Sequence, residues 1–396
     1  MLSIVRRHVP VLGLVVVVMA QVAGASLLPD EAIRVLADRL DQSQEKAGPH
    51  RGLWLPDVLF VGPMMGGMVC AYESAGDPNY LAAAELAGDY ILWFADIQGN
   101  MLGDEVYAFV LLSEASENPA DNHWRSALYA WYESMRRPNY EESTREYIRY
   151  YEEMDRSTAV FYIAQQMIGA YYVDDIEKGV WREGLIEYLS HVDDQSAFPV
   201  MALGVATWAL AATGPLDDTP VTDYLSAPLW DGVLVSDLPA LLASHQVSED
   251  EPFAGSFYWR YDHTAGDTEG VVAGYTEDAI YGTLGLVAAA SQAREAMDPN
   301  EVDPDAVDIE AEGDVAEHDL DGAIEAGLDA LLQGIDAEGV VFQHLSLVGQ
   351  TRYAYAGEML QALWHIEQYL GLGDEDNTVL EVGVEPAEKA NSEGDG

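Results

Sequence analysis

The stretch Ala273 to Ala288, AGYTEDAIYGTLGLVA, opens with two acids, Glu277 and Asp278, and continues as an apolar and small-residue run about four helical turns long. A helix nonpolar on nearly every side reads as one buried on every side. This segment therefore lines the interior of its domain. A sister stretch, Gly103 to Ala115 (GDEVYAFVLLSEA), repeats the device: with Tyr107 set beside Tyr281, Asp104 falls on Asp278, so both helices start with Asp-x-x-Tyr.

Outward from these two stretches, nonpolar and amphipathic helices alternate. The amphipathic, outer ones are expected at Leu28–Ser43, Asn79–Ile97, Ala120–Arg137, Ile176–His191, Val235–Gln246 and His318–Ile335. The nonpolar, inner ones are expected at Val58–Ala75, Asp104–Glu117, Ser157–Val173, Phe198–Thr213, Tyr275–Ala293 and Arg352–Leu370. Within pairs the links are short, as in Gly76-Asp77-Pro78, where Gly stops one helix and Pro starts the next. Short links make antiparallel neighbours. Six hairpins satisfy both helix types by closing into a ring with the nonpolar helices inside, an all-α (α/α)6 toroid spanning residues 26–372.

Three insertions interrupt the alternation. Pro138 to Arg156 is a charged, Tyr-rich helical excursion. Phe253 to Thr264 (FAGSFYWRYDHT) alternates aromatic and polar residues and is expected as a short β-hairpin over one rim. Met297 to Asp319 is acid-rich and reads as a loop or disordered segment, as does the acidic tail 373–396. Residues 1–25 carry Arg6-Arg7, an apolar run from Val9 to Val22 and Ala23-Gly24-Ala25, the pattern of a cleaved export signal; the arginine pair also suits the twin-arginine route. The apolar run is short for a membrane span and no second one follows, so no membrane association is expected after cleavage, and a secreted, periplasmic or cell-surface location is.

The 396-residue chain has a formal net charge of −51, and −53 once a leader carrying Arg6, Arg7 and no acid is removed. Lysine occurs only at Lys46, Lys178 and Lys389. With no basic footprint to neutralise phosphates, nucleic acid is excluded as a partner. An acidic, Lys-poor surface is the composition of a protein adapted to high salt, where repulsion is screened over roughly 3 Å at 1 M. The lone Cys70 excludes an internal disulfide. No zinc spacing, calcium loop, phosphate loop, dinucleotide fingerprint or Gly-x-Ser-x-Gly occurs, so neither metal nor cofactor is expected.

The hairpin units GDPNYLAAAELAGDYIL (76–92), GDEVYAFVLLSEA (103–115) and GYTEDAIYGTLGL (274–286) resemble the six-hairpin glycosidase-like superfamily from Leu28 to Leu372. The resemblance is one of pattern, and it implies a toroid with a carbohydrate site at one mouth. Terpenoid cyclase toroids look similar at this level, but their Asp-x-Asp-Asp motif is absent; the nearest match, Leu216-Asp217-Asp218, lacks the first Asp.

In such a ring every inner helix begins at one rim, so first-turn residues converge there. Asp57, Asp104 with Glu105, Ser157, Glu277 with Asp278, and Glu358 fall at or near it. Asp104 and Asp278 belong to the second and fifth inner helices and so face across the ring, the placement glycoside hydrolysis needs for an acid and a base or nucleophile. Adjacent acids diverge by about 100° on a helix, so at most one of each pair faces the mouth. The competing reading is that these acids are helix caps. Trp259, Arg260, Tyr261, His263 and Tyr275, with Trp54 beside His50-Arg51, form the candidate sugar platform, since aromatic faces stack on sugar rings; otherwise they are a plug. Three functions stay open: a monomeric glycosidase acting on an oligo- or polysaccharide with Asp104, Glu105, Glu277 and Asp278 as its acids; a polysaccharide lyase with Tyr261 or His263 as base and Arg260 against a uronate; and a toroid that binds glycan or protein without catalysis.

Overall fold

The computed structural model describes residues 27–58, 60–98, 101–135, 143–223, 226–267, 270–296 and 320–372. The segment 1–25 expected to be an export leader, the acid-rich 297–319 and the tail 373–396 lie outside the described residues.

Six helices are buried on most sides: α2 (Val61–Ala75), α4 (Gly103–Glu114), α7 (Arg156–Tyr172), α9 (Pro199–Thr213), α11 (Thr276–Ala296) and α13 (Tyr353–Leu370). Each packs on the next in that order and α13 returns to α2, closing the ring. The others bury one stripe only. In α5 (His123–Met135) it is Trp124, Leu128, Trp131 and Tyr132, spaced for a single helix face. Outer helices cover the seams between inner ones: α1 (Pro29–Ser43) lies on α13 and α2, α3 (Pro78–Gln98) on α2 and α4, and α8 (Lys178–Ser190) on α7 and α9. The short α10 (Leu238–Ala243) lies on α9 and α11, and α12 (Leu320–Gln333) on α11 and α13. The α5 helix reaches across the α4–α7 seam, where the Tyr132 hydroxyl donates to the Gln166 carbonyl at 2.6 Å. All twelve expected helices are present, and the charged insertion adds α6 (Ser143–Arg149).

Glycine lets the inner helices touch. A Cβ at Gly67 of α2 would stand 2.5 Å from the Gly357 carbonyl oxygen of α13, and one at Gly204 of α9 would stand 2.5 Å from the Tyr281 carbonyl oxygen of α11. Backbone-to-backbone packing at that range admits no side chain.

The rim hairpin is real but sits elsewhere than expected. The antiparallel pair is β1 (Phe342–His344) and β2 (Val348–Thr351), directly before α13. Residues 253–264 contribute only isolated bridges, Gln246 to Phe257 and Tyr258 to Ala273. Their side chains grip neighbouring loops, and this takes the place of a strand partner.

Candidate active site

The inner helices start at one rim, and there a cavity of about 240 Å³ opens between α2, α4, α7, α9, α11 and α13. Three carboxylic acids line it: Asp104 from α4, Glu277 from α11 and Glu358 from α13. Tyr162, Tyr355, Phe161 and Phe198 form aromatic walls, and Gln343 and Gln350 come from the rim hairpin. Arg352, at the start of α13, contributes a guanidinium that lies 5.1 Å from the Phe60 ring centre and 5.9 Å from that of Tyr355.

Burial sets the proton affinities. It pushes Asp104 up to about 7, against the lowering effect of the Glu105 and Asp104 backbone amides. Glu277 likewise rises to about 7 through burial, partly offset by Arg352. Glu358 is raised further, by burial first and then by Glu277, with Asp104 adding a smaller push; the Tyr281 hydroxyl, hydrogen-bonded to it, works the other way. One oxygen each of Asp104 and Glu358 is buried without a hydrogen bond. Carboxyls crowded in one buried cavity do not all ionise together, so near neutral pH the cluster keeps protons.

The remaining acids turn away. Asp278 is fully buried and does not line the cavity; its carboxyl lies toward Met201 at the α9 start with both oxygens lacking a hydrogen bond, and burial first, then Glu277, raises it well above the carboxylate range. Glu105 folds back to accept the Leu102 amide at 2.8 Å, capping its own helix. Asp57 caps α13 by accepting the Tyr353 amide at 2.6 Å. Ser157 hands its amide to Asp155 at 3.0 Å and accepts that of Phe198 at 3.0 Å. The cap reading thus holds for Asp57 and Glu105 but not for Glu358, which lies beyond the first turn of α13.

The proposed sugar platform is placed outside the cavity. Trp259 donates its indole N–H to the Ala197 carbonyl at 2.9 Å, and Arg260 stacks on that ring at 4.1 Å while reaching the Ser196 carbonyl at 3.3 Å. Tyr261 donates to the Pro199 carbonyl at 2.9 Å. His263 pairs with His245 at 2.7 Å beneath Tyr258, and the Tyr275 hydroxyl bonds Asp267. Trp54 is wholly buried, with its N–H on the Leu40 carbonyl at 2.8 Å. His263 and Tyr275 pair with other side chains and Trp54 with α1, while Trp259, Arg260 and Tyr261 hold the backbone carbonyls of Ala197, Ser196 and Pro199 and so fasten the segment that leads into Phe198 and Met201 of the cavity wall. They buttress the site without lining it. Arg352, Tyr162 and Tyr355 were not legible as site residues, because an Arg at a helix start and tyrosines within inner helices carry no motif.

Among the described residues no group of three or more His, Cys, Asp or Glu is arranged to hold a metal ion, and no helix is long and apolar enough to cross a membrane. No family model matches the chain, and no curated protein does. Among solved structures it is similar to an unsaturated glucuronyl hydrolase, responsible for the degradation of glycosaminoglycan, from Bacillus sp. GL1. The identity is 14%, the match covers 87% of this chain and 97% of that one, and the TM-score is 0.50. At that identity the likeness is one of fold, the (α/α)6 toroid.

Proposed function

We propose that this chain is an exported carbohydrate-active enzyme that hydrolyses a glycosidic bond at the toroid mouth. The observation that carries the reading is the convergence of Asp104, Glu277 and Glu358, from three different inner helices, on one cavity with their proton affinities raised toward or above neutrality. Burying three acids together costs stability and serves no packing purpose, whereas a perturbed cluster in a cleft is what acid–base chemistry uses. Of Asp104 and Glu277, facing across the ring, one protonates the leaving oxygen while the other takes a proton from the attacking water. Glu358, with the highest proton affinity, stays protonated between them and holds the Tyr281 hydroxyl. The aromatic walls pack against the sugar, and Arg352 offers its guanidinium to a polar or anionic substituent. The fold shared with a glycan-degrading hydrolase agrees with this assignment.

Hydrolysis is favoured over the lyase reading because Arg260, Tyr261 and His263 do not line the cavity, and because burial raises the Tyr162 and Tyr355 phenols and so keeps them protonated, with no phenolate to act as base. A purely binding toroid leaves Glu358 without a role. The test is turnover of a panel of aryl glycosides and oligosaccharides by Asp104→Asn and Glu277→Gln. Each should lose roughly 10²- to 10⁴-fold in kcat, the usual worth of a positioned acid or base, with the fold retained. Undiminished turnover in both variants, or none in the parent across the panel, would sink the assignment.

A further inference from the structure

A second aromatic surface lies outside the mouth. On α3, Tyr90, Trp93 and Phe94 share one face at i, i+3 and i+4 spacing. Trp93 is 57% exposed and Phe94 36%. Tyr90 stacks on Phe94 with ring centres 6.0 Å apart, and Trp93 is inclined by 51° to Tyr90 at 5.6 Å, so the three rings form one cluster with Trp93 the most exposed. Aromatics clustered on one exposed helix face, unlike single exposed side chains, are what an interaction site presents.

The platform has a built edge. Gly52, at φ +93°, lets the loop before Leu53 press on α3, where a Cβ would meet the Leu86 carbonyl oxygen at 2.4 Å. Between that loop and the helix lies a slot of about 210 Å³, walled by Tyr90 and Trp93 and edged by one cation, Arg51, and one anion, Asp89. An exposed indole flanked by both a donor fork and an acceptor matches a ring that has C–H faces and hydroxyl edges. Seven residues line the slot, against roughly 20–30 on each side of a stable protein interface. It also lies on the mouth side of the ring: Tyr90 and Trp93 stand in the last turns of α3, which ends at Gln98, and α4 begins at the mouth with Gly103.

We infer that Tyr90, Trp93, Arg51 and Asp89 form a glycan-binding subsite on the outer flank of the mouth, which stacks a pyranose of a neutral polysaccharide on Trp93 and holds its hydroxyls with Arg51 and Asp89. Neutral chains fit because Arg51 and Asp89 cancel, while the body charge of −51 repels polyanions. The subsite rests on the reading of the protein as glycan-directed, but it is tested by binding and not by turnover.

The experiment is affinity electrophoresis of the whole protein through gels holding soluble xylan or galactomannan, with polygalacturonate as the polyanionic comparison. The parent should be retarded in a neutral gel. Trp93→Ala should weaken that retardation about tenfold or more in Kd, as removal of an aromatic anchor does, and Arg51→Ala should weaken it less. Since Trp93 is exposed, its melting temperature should stay within a few degrees of the parent's. Asp104→Asn should be retarded like the parent, so loss of catalysis and loss of the subsite read separately. Equal retardation of parent and Trp93→Ala, retardation of the parent in neither neutral gel, or a dimer that Trp93→Ala dissolves without changing glycan binding would each overturn the inference.

Discussion

Asp104 and Glu277 are each protonated in the fold at pH values where the unfolded chain would ionise them, because burial raises both to about 7. The stability this lends is complete below about pH 4 and is lost as pH rises through 7. Asp104→Asn and Glu277→Gln remove the titration while keeping the shape. Each variant should therefore be more stable than the parent at pH 8, by of the order of 2–4 kcal/mol, with the gap closing near pH 4.5. Melting temperatures at the two pH values check this, and a gap independent of pH would defeat it. The same proton affinities place the optimum of kcat/KM near pH 7, with activity falling on the acid side as the base protonates and on the alkaline side as the acid ionises. Asp278→Asn offers the contrast. Its carboxyl faces the α9 start and not the cavity, so turnover should stay within a fewfold of the parent while stability changes.

The elements are held by contacts that leave no room for a side chain. Gly67→Ala would set a Cβ 2.5 Å from the Gly357 carbonyl oxygen, forcing α2 and α13 apart where the ring closes. Overpacking of that kind should cost about 2 kcal/mol or more. Gly76→Ala meets open space and only its positive φ of 68°, so about 1 kcal/mol is expected. Comparing the two by urea unfolding tests whether helix contact or backbone conformation dominates; equal losses would count against the close-packed seam. The aromatic segment acts at the same scale. Trp259→Ala removes the bond to the Ala197 carbonyl that braces the approach to Phe198 and Met201, so it should reduce kcat as well as stability. Glycan affinity unaccompanied by a change in stability would contradict the bracing role.

For the molecule as a whole, the charge of −51 is spread over a body with few cations. Self-repulsion is largest at low ionic strength, where the screening length is about 10 Å at 0.1 M against 3 Å at 1 M. Raising salt across that range should therefore raise the melting temperature by several degrees. A flat or falling curve would remove high-salt adaptation as the reason for the composition. Surface ion pairs such as Arg294–Asp321 at 3.0 Å are too exposed to offset the imbalance, since such pairs contribute at most about 1 kcal/mol.

What could be read from the chain alone was the ring: the alternation of nonpolar with amphipathic helices, the Gly-Asp-Pro breaks and the recurring Asp-x-x-Tyr are local patterns, and burial of each helix follows from its own composition. It also narrowed the chemistry to acids at the starts of inner helices, and Asp104 and Glu358 are in the cavity. What local pattern could not decide was which way neighbouring side chains turn. Glu277 and Asp278 are adjacent and alike, and only the packing of α11 against α9 sends Asp278 into the seam and leaves Glu277 in the cavity. Trp259 and Tyr261 look like a platform in sequence, yet the backbone carbonyls of Ala197 and Pro199, brought near by the fold, claim their polar ends. Arg352 joins the acids because ring closure carries the last inner helix back to the first. Periodicity is a property of consecutive residues, whereas a cavity is made by side chains from helices far apart in the chain, whose directions the tertiary packing alone determines.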